Sequence, residues 1–183
     1  MHCAKSCTSL KRKVQHKVKI GDKVANFTLK DQDGNPQNLT ELLKGGPLVL
    51  FFYPAAMTTG CTKESCHFRD LKAEFEELGI QRVGISMDKV DKQKQFSDTY
   101  GFDYPLLSDE DGSVAESFGV KRSIGILRTN RQTFVIDTDS TVLAIFKSEF
   151  NMNSHAEDAL DCFRSAGADR TKPTQPPEDP FNS

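Results

Sequence analysis

Two cysteines five residues apart, Cys61 and Cys66, are placed where side chains can do chemistry. Cys61 follows a glycine and a short loop, after an apolar run that Pro54 ends and just where a helix is due to begin. The unbonded N–H groups and the dipole at a helix start both favour negative charge. A thiol held there can lose several units from its usual pKa of roughly 8.5, which makes it an activated nucleophile. Thr58, three residues earlier, can bring its hydroxyl near the sulfur, cap the helix, or do both. Pro54 stiffens the loop and can shield a thiolate from water.

Cys66 sets a geometric condition. In an unbroken helix it lies about 140° around from Cys61 and roughly 8–9 Å away between Cα atoms. A disulfide needs less than about 7 Å. Any bond between the two therefore requires the helix to unwind locally, which couples the chemistry to partial unfolding. The other reading of Cys66 is a small apolar residue packing inside the helix.

These residues need elements to position them. Leu48 to Tyr53 is apolar throughout and reads as a central strand buried on both faces. Upstream, Asn26 to Lys30 reads as a strand, Asp33-Gly34 as a turn, and Gln37 to Leu39 as a strand returning beside it. Thr40 can cap a short helix that Gly45-Gly46 ends. After the loop, Phe68, Leu71, Phe75 and Leu78 recur at helical spacing and predict one helix closed by Gly79. Arg82 to Ser86 and Tyr104 to Leu107 are strands, with helices over Asp91 to Tyr100 and Val114 to Phe118. Gln132 to Asp137 and Thr141 to Lys147 form a hairpin. Ser154 and Glu157 make a capping box for a last helix that buries Ala156, Ala159, Leu160 and Phe163. Strands and helices that alternate and then end in a hairpin predict an α/β class with a mixed central sheet flanked by helices. A right-handed crossover puts the Cys61 helix against the sheet, its start at the carboxyl end of the central strand, where open α/β sheets bind ligands.

Composition narrows the function. The chain has 183 residues and a net charge of −2. That gives no basis for nucleic acid or an anionic membrane as partner, and no apolar run nears the roughly 20 residues of a membrane helix. Five cysteines, an odd number, suit a cytoplasmic protein with reactive thiols better than a disulfide-stapled secreted one. We divide the chain into a flexible basic arm over 1–17, one domain over 18–166, and a disordered Pro-rich tail over 167–183. The arm is poor in arginine, so we read it as solvated rather than as a transit peptide. Cys3 and Cys7 lack zinc-site spacing and read as incidental thiols. Cys162 reads as a packing residue and His67 as solvent-facing.

The run from Phe52 through Pro54, Thr58, Cys61 and Cys66 to Asp70 resembles the active-site stretch of peroxiredoxins, with Pro-x-x-x-Thr-x-x-Cys at Pro54, Thr58 and Cys61. The second cysteine five residues on is similar to the peroxiredoxin Q group, also called bacterioferritin comigratory proteins. Gly84-Ile85-Ser86, Pro105 to Asp109 and Arg131 to Asp137 fit the same group in the same order, so the resemblance covers roughly Val18 to Phe163. It implies a thioredoxin-like fold and a thiol peroxidase acting on hydrogen peroxide and organic hydroperoxides in antioxidant defence. Cys61 would be the peroxidatic cysteine, oxidised to sulfenic acid, and Cys66 the resolving cysteine that closes an intramolecular disulfide. Thr58 and the Cys61 N–H would hold the peroxide oxygens. Arg131 would hold the thiolate, with Arg122 and Arg128 as nearby alternatives. A thioredoxin-type protein would be the reductant, no metal, flavin or haem is required, and an intramolecular pair makes a monomer the default. Thr59 departs from the family's usual proline, and Lys121 to Asn130 lacks the aromatics of many relatives. Two rivals stand beside this reading. One is a general thiol–disulfide oxidoreductase, whose Cys-x-x-Cys is absent here. The other is a non-enzymatic binding module on the same fold.

Overall fold

The computed structural model describes residues 17–122, 127–148 and 154–170, with side chains described to residue 165. The arm expected over 1–17 and the tail expected over 167–183 lie almost wholly outside these residues. The strands are β1 (Thr28–Lys30), β2 (Pro36–Asn38), β3 (Leu48–Phe52), β4 (Gln81–Ser86), β5 (Leu106–Ser108), β6 (Gln132–Ile136) and β7 (Val142–Lys147). The helices are α1 (Leu39–Lys44), α2 (Thr59–Asp70), α3 (Lys72–Glu77), α4 (Val90–Tyr100), α5 (Ser113–Ser117) and α6 (Ser154–Arg170).

The strands form one sheet in the order β2-β1-β5-β4-β3-β6-β7. β3, β4 and β5 run parallel, while β6 is antiparallel to β3 and β7 to β6. This is the mixed α/β sheet the sequence predicts. All five residues of β3 are buried, as expected for a strand covered on both faces.

Alternation along β3 divides the core in two. Leu48, Leu50 and Phe52 pack with Leu39 and Leu43 of α1 and Val114 and Ala115 of α5. Val49, Phe51 and Tyr53 face the other way, toward Cys61 and Phe68 of α2, Phe75 of α3, Phe96 of α4 and Ala156 of α6. Phe51 seats α2: its ring stacks on Phe68 with centroids 4.2 Å apart. Gly84 on the neighbouring strand makes room for this, since a Cβ there would meet the Phe51 ring at 2.9 Å.

Two local expectations are corrected. Asn38, not Thr40, caps α1, with its Oδ1 accepting from Thr40 N at 3.0 Å. Leu39, which the expectation left in a strand, already belongs to the helix and is buried. The single helix expected up to Gly79 is two, divided at Leu71. Arg82 Nη1 donates to Phe68 O at 2.7 Å, the carbonyl that residue 72 would use in a continuous helix. The break turns the apolar stripe, so Leu78 ends up exposed.

His155 fastens α6 to the sheet. It is fully buried, with Nε2 3.0 Å from Ser148 O and Nδ1 2.9 Å from Thr133 Oγ1. A carbonyl only accepts, so Nε2 carries the proton and Nδ1 accepts from the threonine hydroxyl.

Candidate active site

β3 delivers the chain to Pro54, a loop turns through residues 55–58, and α2 begins at Thr59. Cys61 is the third helical residue. The first helical hydrogen bond is Thr62 N to Thr58 O at 2.8 Å, so the N–H groups of Thr59, Gly60 and Cys61 precede the ladder and turn their positive ends toward the sulfur's end of the helix. Pro54 is buried, and Met57 at the loop's apex has φ 68°, left-handed backbone that a side chain adopts at a cost.

Cys61 is 1% exposed and shares its apolar surroundings with Tyr53, Ala56 and Phe68. Arg131 reaches it from the residue before β6, with Nη2 3.3 Å from Cys61 Sγ. Arg131 is in phase with Thr133, which bonds His155 of α6, and with Val135, which shares the Cys61 core, and this is why it arrives on the cysteine's side of the sheet. Its Nη1 donates to Glu64 Oε2, and both side chains are almost completely buried. Burial works against the guanidinium's charge, but Glu64 and then Cys61 more than offset it and hold the Arg131 pKa above its ordinary value. Arg122 instead donates to Asn130 Oδ1 at 2.6 Å, and Arg128 lines an open cavity of about 410 Å³ with Asp88 and Lys92. Cys61 is not among that cavity's lining residues.

Thr58 stands at the N-cap position of α2 but makes no capping bond. Its exposed hydroxyl donates to Ala55 O at 2.9 Å. Cys66 is half-buried on α2, and both cysteines are free thiols within one unbroken helix. Burial pushes the Cys66 thiol up, partly countered by the Arg69 guanidinium. His67, expected in solvent, is half-buried with Nε2 3.3 Å from Glu157 Oε1 of α6. Cys162 is half-buried and packs beside the same core, as a packing residue should.

Thus Arg131 meets the Cys61 sulfur, Pro54 is buried at the end of the strand before it, Thr58 is exposed on the loop, and Cys66 lies further along the helix. Sequence reasoning missed Glu64. Its signal was phase: it shares the buried face of α2 with Cys61, Ser65 and Phe68. A carboxylate on a buried stripe requires a buried cation.

Comparison with known proteins places these features in a group. Residues 20–145 match the AhpC/TSA family. The crystal structure of peroxidoxin BcpB from Mycobacterium tuberculosis superposes with a TM-score of 0.78 at 56% identity, covering 82% of this chain and 98% of that one. A chloroplastic peroxiredoxin Q of Gentiana triflora is 41% identical over 150 residues, or 82% of this chain and 69% of its own. A Xanthomonas campestris bacterioferritin comigratory protein matches with a TM-score of 0.70 at 28% identity, covering 76% of this chain and 91% of that one.

Proposed function

The chain belongs to the AhpC/TSA family and is a peroxidase of the peroxiredoxin Q type, and from that premise we propose how its residues do the work. Cys61 attacks the terminal peroxide oxygen as a thiolate. The O–O bond breaks, sulfur is oxidised to sulfenic acid, and the leaving oxygen takes a proton to depart as water or alcohol. The observation that carries this is the pairing of a buried sulfur at a helix start with the Arg131 guanidinium 3.3 Å away. That pairing puts a fixed cation where charge moves from sulfur to oxygen. Arg131 Nε, buried and without a hydrogen-bond partner among the described residues, supports a further role in receiving a peroxide oxygen, as does the Cys61 N–H. Pro54 keeps water from the sulfur. The exposed Thr58 hydroxyl, now donating to Ala55 O, is our candidate for orienting the incoming peroxide.

Cys66 then attacks the sulfenic sulfur. Water leaves, a Cys61–Cys66 disulfide forms, and α2 must open for it to do so. A thioredoxin-type dithiol returns two electrons and restores both thiols. We take the substrates to be hydrogen peroxide and organic hydroperoxides, in keeping with the alkyl peroxide reduction ascribed to the Xanthomonas relative and with the apolar residues around Cys61. We assign the enzyme to antioxidant defence in the cytoplasm, acting as a monomer. No helix among the described residues is long and apolar enough to cross a membrane.

The test is one equivalent of hydrogen peroxide on reduced protein, with cysteines mapped by mass spectrometry. A Cys61–Cys66 disulfide is expected. Cys61→Ser should abolish turnover with thioredoxin and its reductase. Cys66→Ser should keep the first reduction and lose recycling. Unoxidised Cys61 overturns the reading in favour of a binding module, and rapid insulin reduction would favour general disulfide exchange.

A further inference from the structure

Asp88 lies two residues past the end of β4 and outside the group of residues around the sulfur, yet it grips the loop that carries them. Its Oδ2 accepts from the Ala56 backbone N–H at 2.6 Å and from Ser86 Oγ at 2.9 Å, and its Oδ1 accepts from Lys92 Nζ at 2.7 Å. The carboxylate side chain is only 13% exposed. A bond from an amide to a carboxylate is short and about twice as strong as a neutral one.

The grip has a second hand. Ser86 Oγ accepts from Gln93 Nε2 at 3.0 Å, the same nitrogen donates to Leu107 O at 2.9 Å, and Gln93 Oε1 accepts from the Tyr53 hydroxyl. Tyr53 and Ala56 flank Pro54-Ala55. One continuous hydrogen-bonded chain, Tyr53 to Gln93 to Ser86 to Asp88 to Ala56, therefore ties both sides of this short stretch to β4 and α4. Proline has no N–H to offer, and the Ala56 amide, two residues on, is the donor by which Asp88 holds the loop. Five residues later the chain reaches Cys61.

We propose that Asp88 is a positioning residue for the peroxide-reducing step. It holds the loop between Pro54 and Thr58 in the geometry that presents Cys61 and Thr58 to substrate, and it acts through the Ala56 amide rather than by touching peroxide. This rests on the reading of Cys61 as the attacking sulfur.

The chemistry of the contact dictates the variants. Asp88→Ala removes every bond. Asp88→Asn can place its carbonyl oxygen where Oδ2 was, keeping Ala56 and Ser86 and abandoning only Lys92. Lys92→Met removes that same ion pair from the other side. Sulfenic acid formation and disulfide closure are timed separately by rapid quench, thiol labelling and mass spectrometry. Asp88→Ala should slow sulfenic acid formation by about ten- to a hundredfold, because a misplacement of about 1 Å costs on that order. Its disulfide closure should be no slower than in the wild type. Asp88→Asn and Lys92→Met should both stay within about threefold of the wild type in the first step. A wild-type first step in Asp88→Ala overturns the proposal. So does an Asp88→Asn variant as slow as the alanine, or equal slowing of both steps.

Amide exchange in the unmodified protein decides the matter should Asp88→Ala fail to fold. The Ala56 N–H should be protected well beyond the Met57 N–H, and exchange at the same rate would overturn the proposal. Failure of the underlying reading would look different: no sulfenic acid in the wild type, whatever the protection at Ala56.

Discussion

At the scale of single residues, the site turns on three buried side chains: Arg131, with Cys61 and Glu64 each in contact with its guanidinium. Arg131→Met should reduce the first step by about a hundred- to a thousandfold, as loss of a preorganised electrostatic partner does elsewhere. It should also destabilise the fold by about 3–5 kcal/mol by leaving Glu64 charged and buried without its cation. Combining it with Glu64→Gln should restore part of the stability and none of the rate. Denaturant titration and rapid quench read the two quantities separately. Cys66 adds a pH dependence. Burial raises its pKa, so the intact helix favours the neutral thiol, and that preference is lost as pH rises through the ordinary thiol range. The thiolate is also the attacking form. Both effects point the same way: disulfide closure should quicken with rising pH, and a flat profile from neutral to alkaline would count against Cys66 as the resolving thiol. Cys61 and Pro54 were singled out by residue type and spacing, and Arg131 by the family resemblance, with Arg122 and Arg128 beside it; of these three arginines, Arg131 is the one that meets the Cys61 sulfur. Glu64 and Asp88 were not. Glu64 had only its phase on α2 to mark it, and Asp88 had no local mark, because their partners lie 67 and 32 residues away.

At the scale of elements, α2 is held differently at its two ends. Its first turn carries Cys61 and ends in an exposed loop. Its second half is pinned from outside: the Tyr104 hydroxyl donates to Ser65 O at 2.7 Å and Arg82 donates to Phe68 O at 2.7 Å. Tyr104→Phe should cost about 1 kcal/mol of stability and hasten disulfide closure by freeing the segment next to Cys66. An unchanged closing rate would place the unwinding entirely before Ser65. Gly84→Ala should be felt in the same helix, since the added methyl displaces Phe51 and with it the ring on which Phe68 sits. About 1–3 kcal/mol of overpacking cost is expected by thermal or chemical unfolding. The break at Leu71 was invisible beforehand because apolar spacing carries straight through it. What divides the helix is a side chain of β4 competing for one carbonyl.

For the whole molecule, the parallel centre and the closing hairpin were readable from the alternation of elements, and β3 from its unbroken apolar run. Less readable was how the two faces of β3 would be shared, because burial on both sides erases the alternation that would have shown it. The site lies on the aromatic face, where Phe51, Tyr53, Phe68, Phe75, Phe96, Phe102 and Tyr104 interlock. Phe51→Ala should cost about 3–5 kcal/mol. The chain has no tryptophan, so circular dichroism or tyrosine emission must report the unfolding.

An intact α2 and a bond between Cys61 and Cys66 exclude each other, since helix geometry sets their Cα atoms roughly 8–9 Å apart, beyond a disulfide's reach. On the proposed chemistry, each turnover therefore leaves a message as well as a product. The spent enzyme carries a different outline from the ready one, and a reductant can tell them apart by shape before any sulfur is exchanged. Meeting peroxide would be recorded as a loss of helix, legible to any protein that binds the unwound segment, and erased when two electrons arrive.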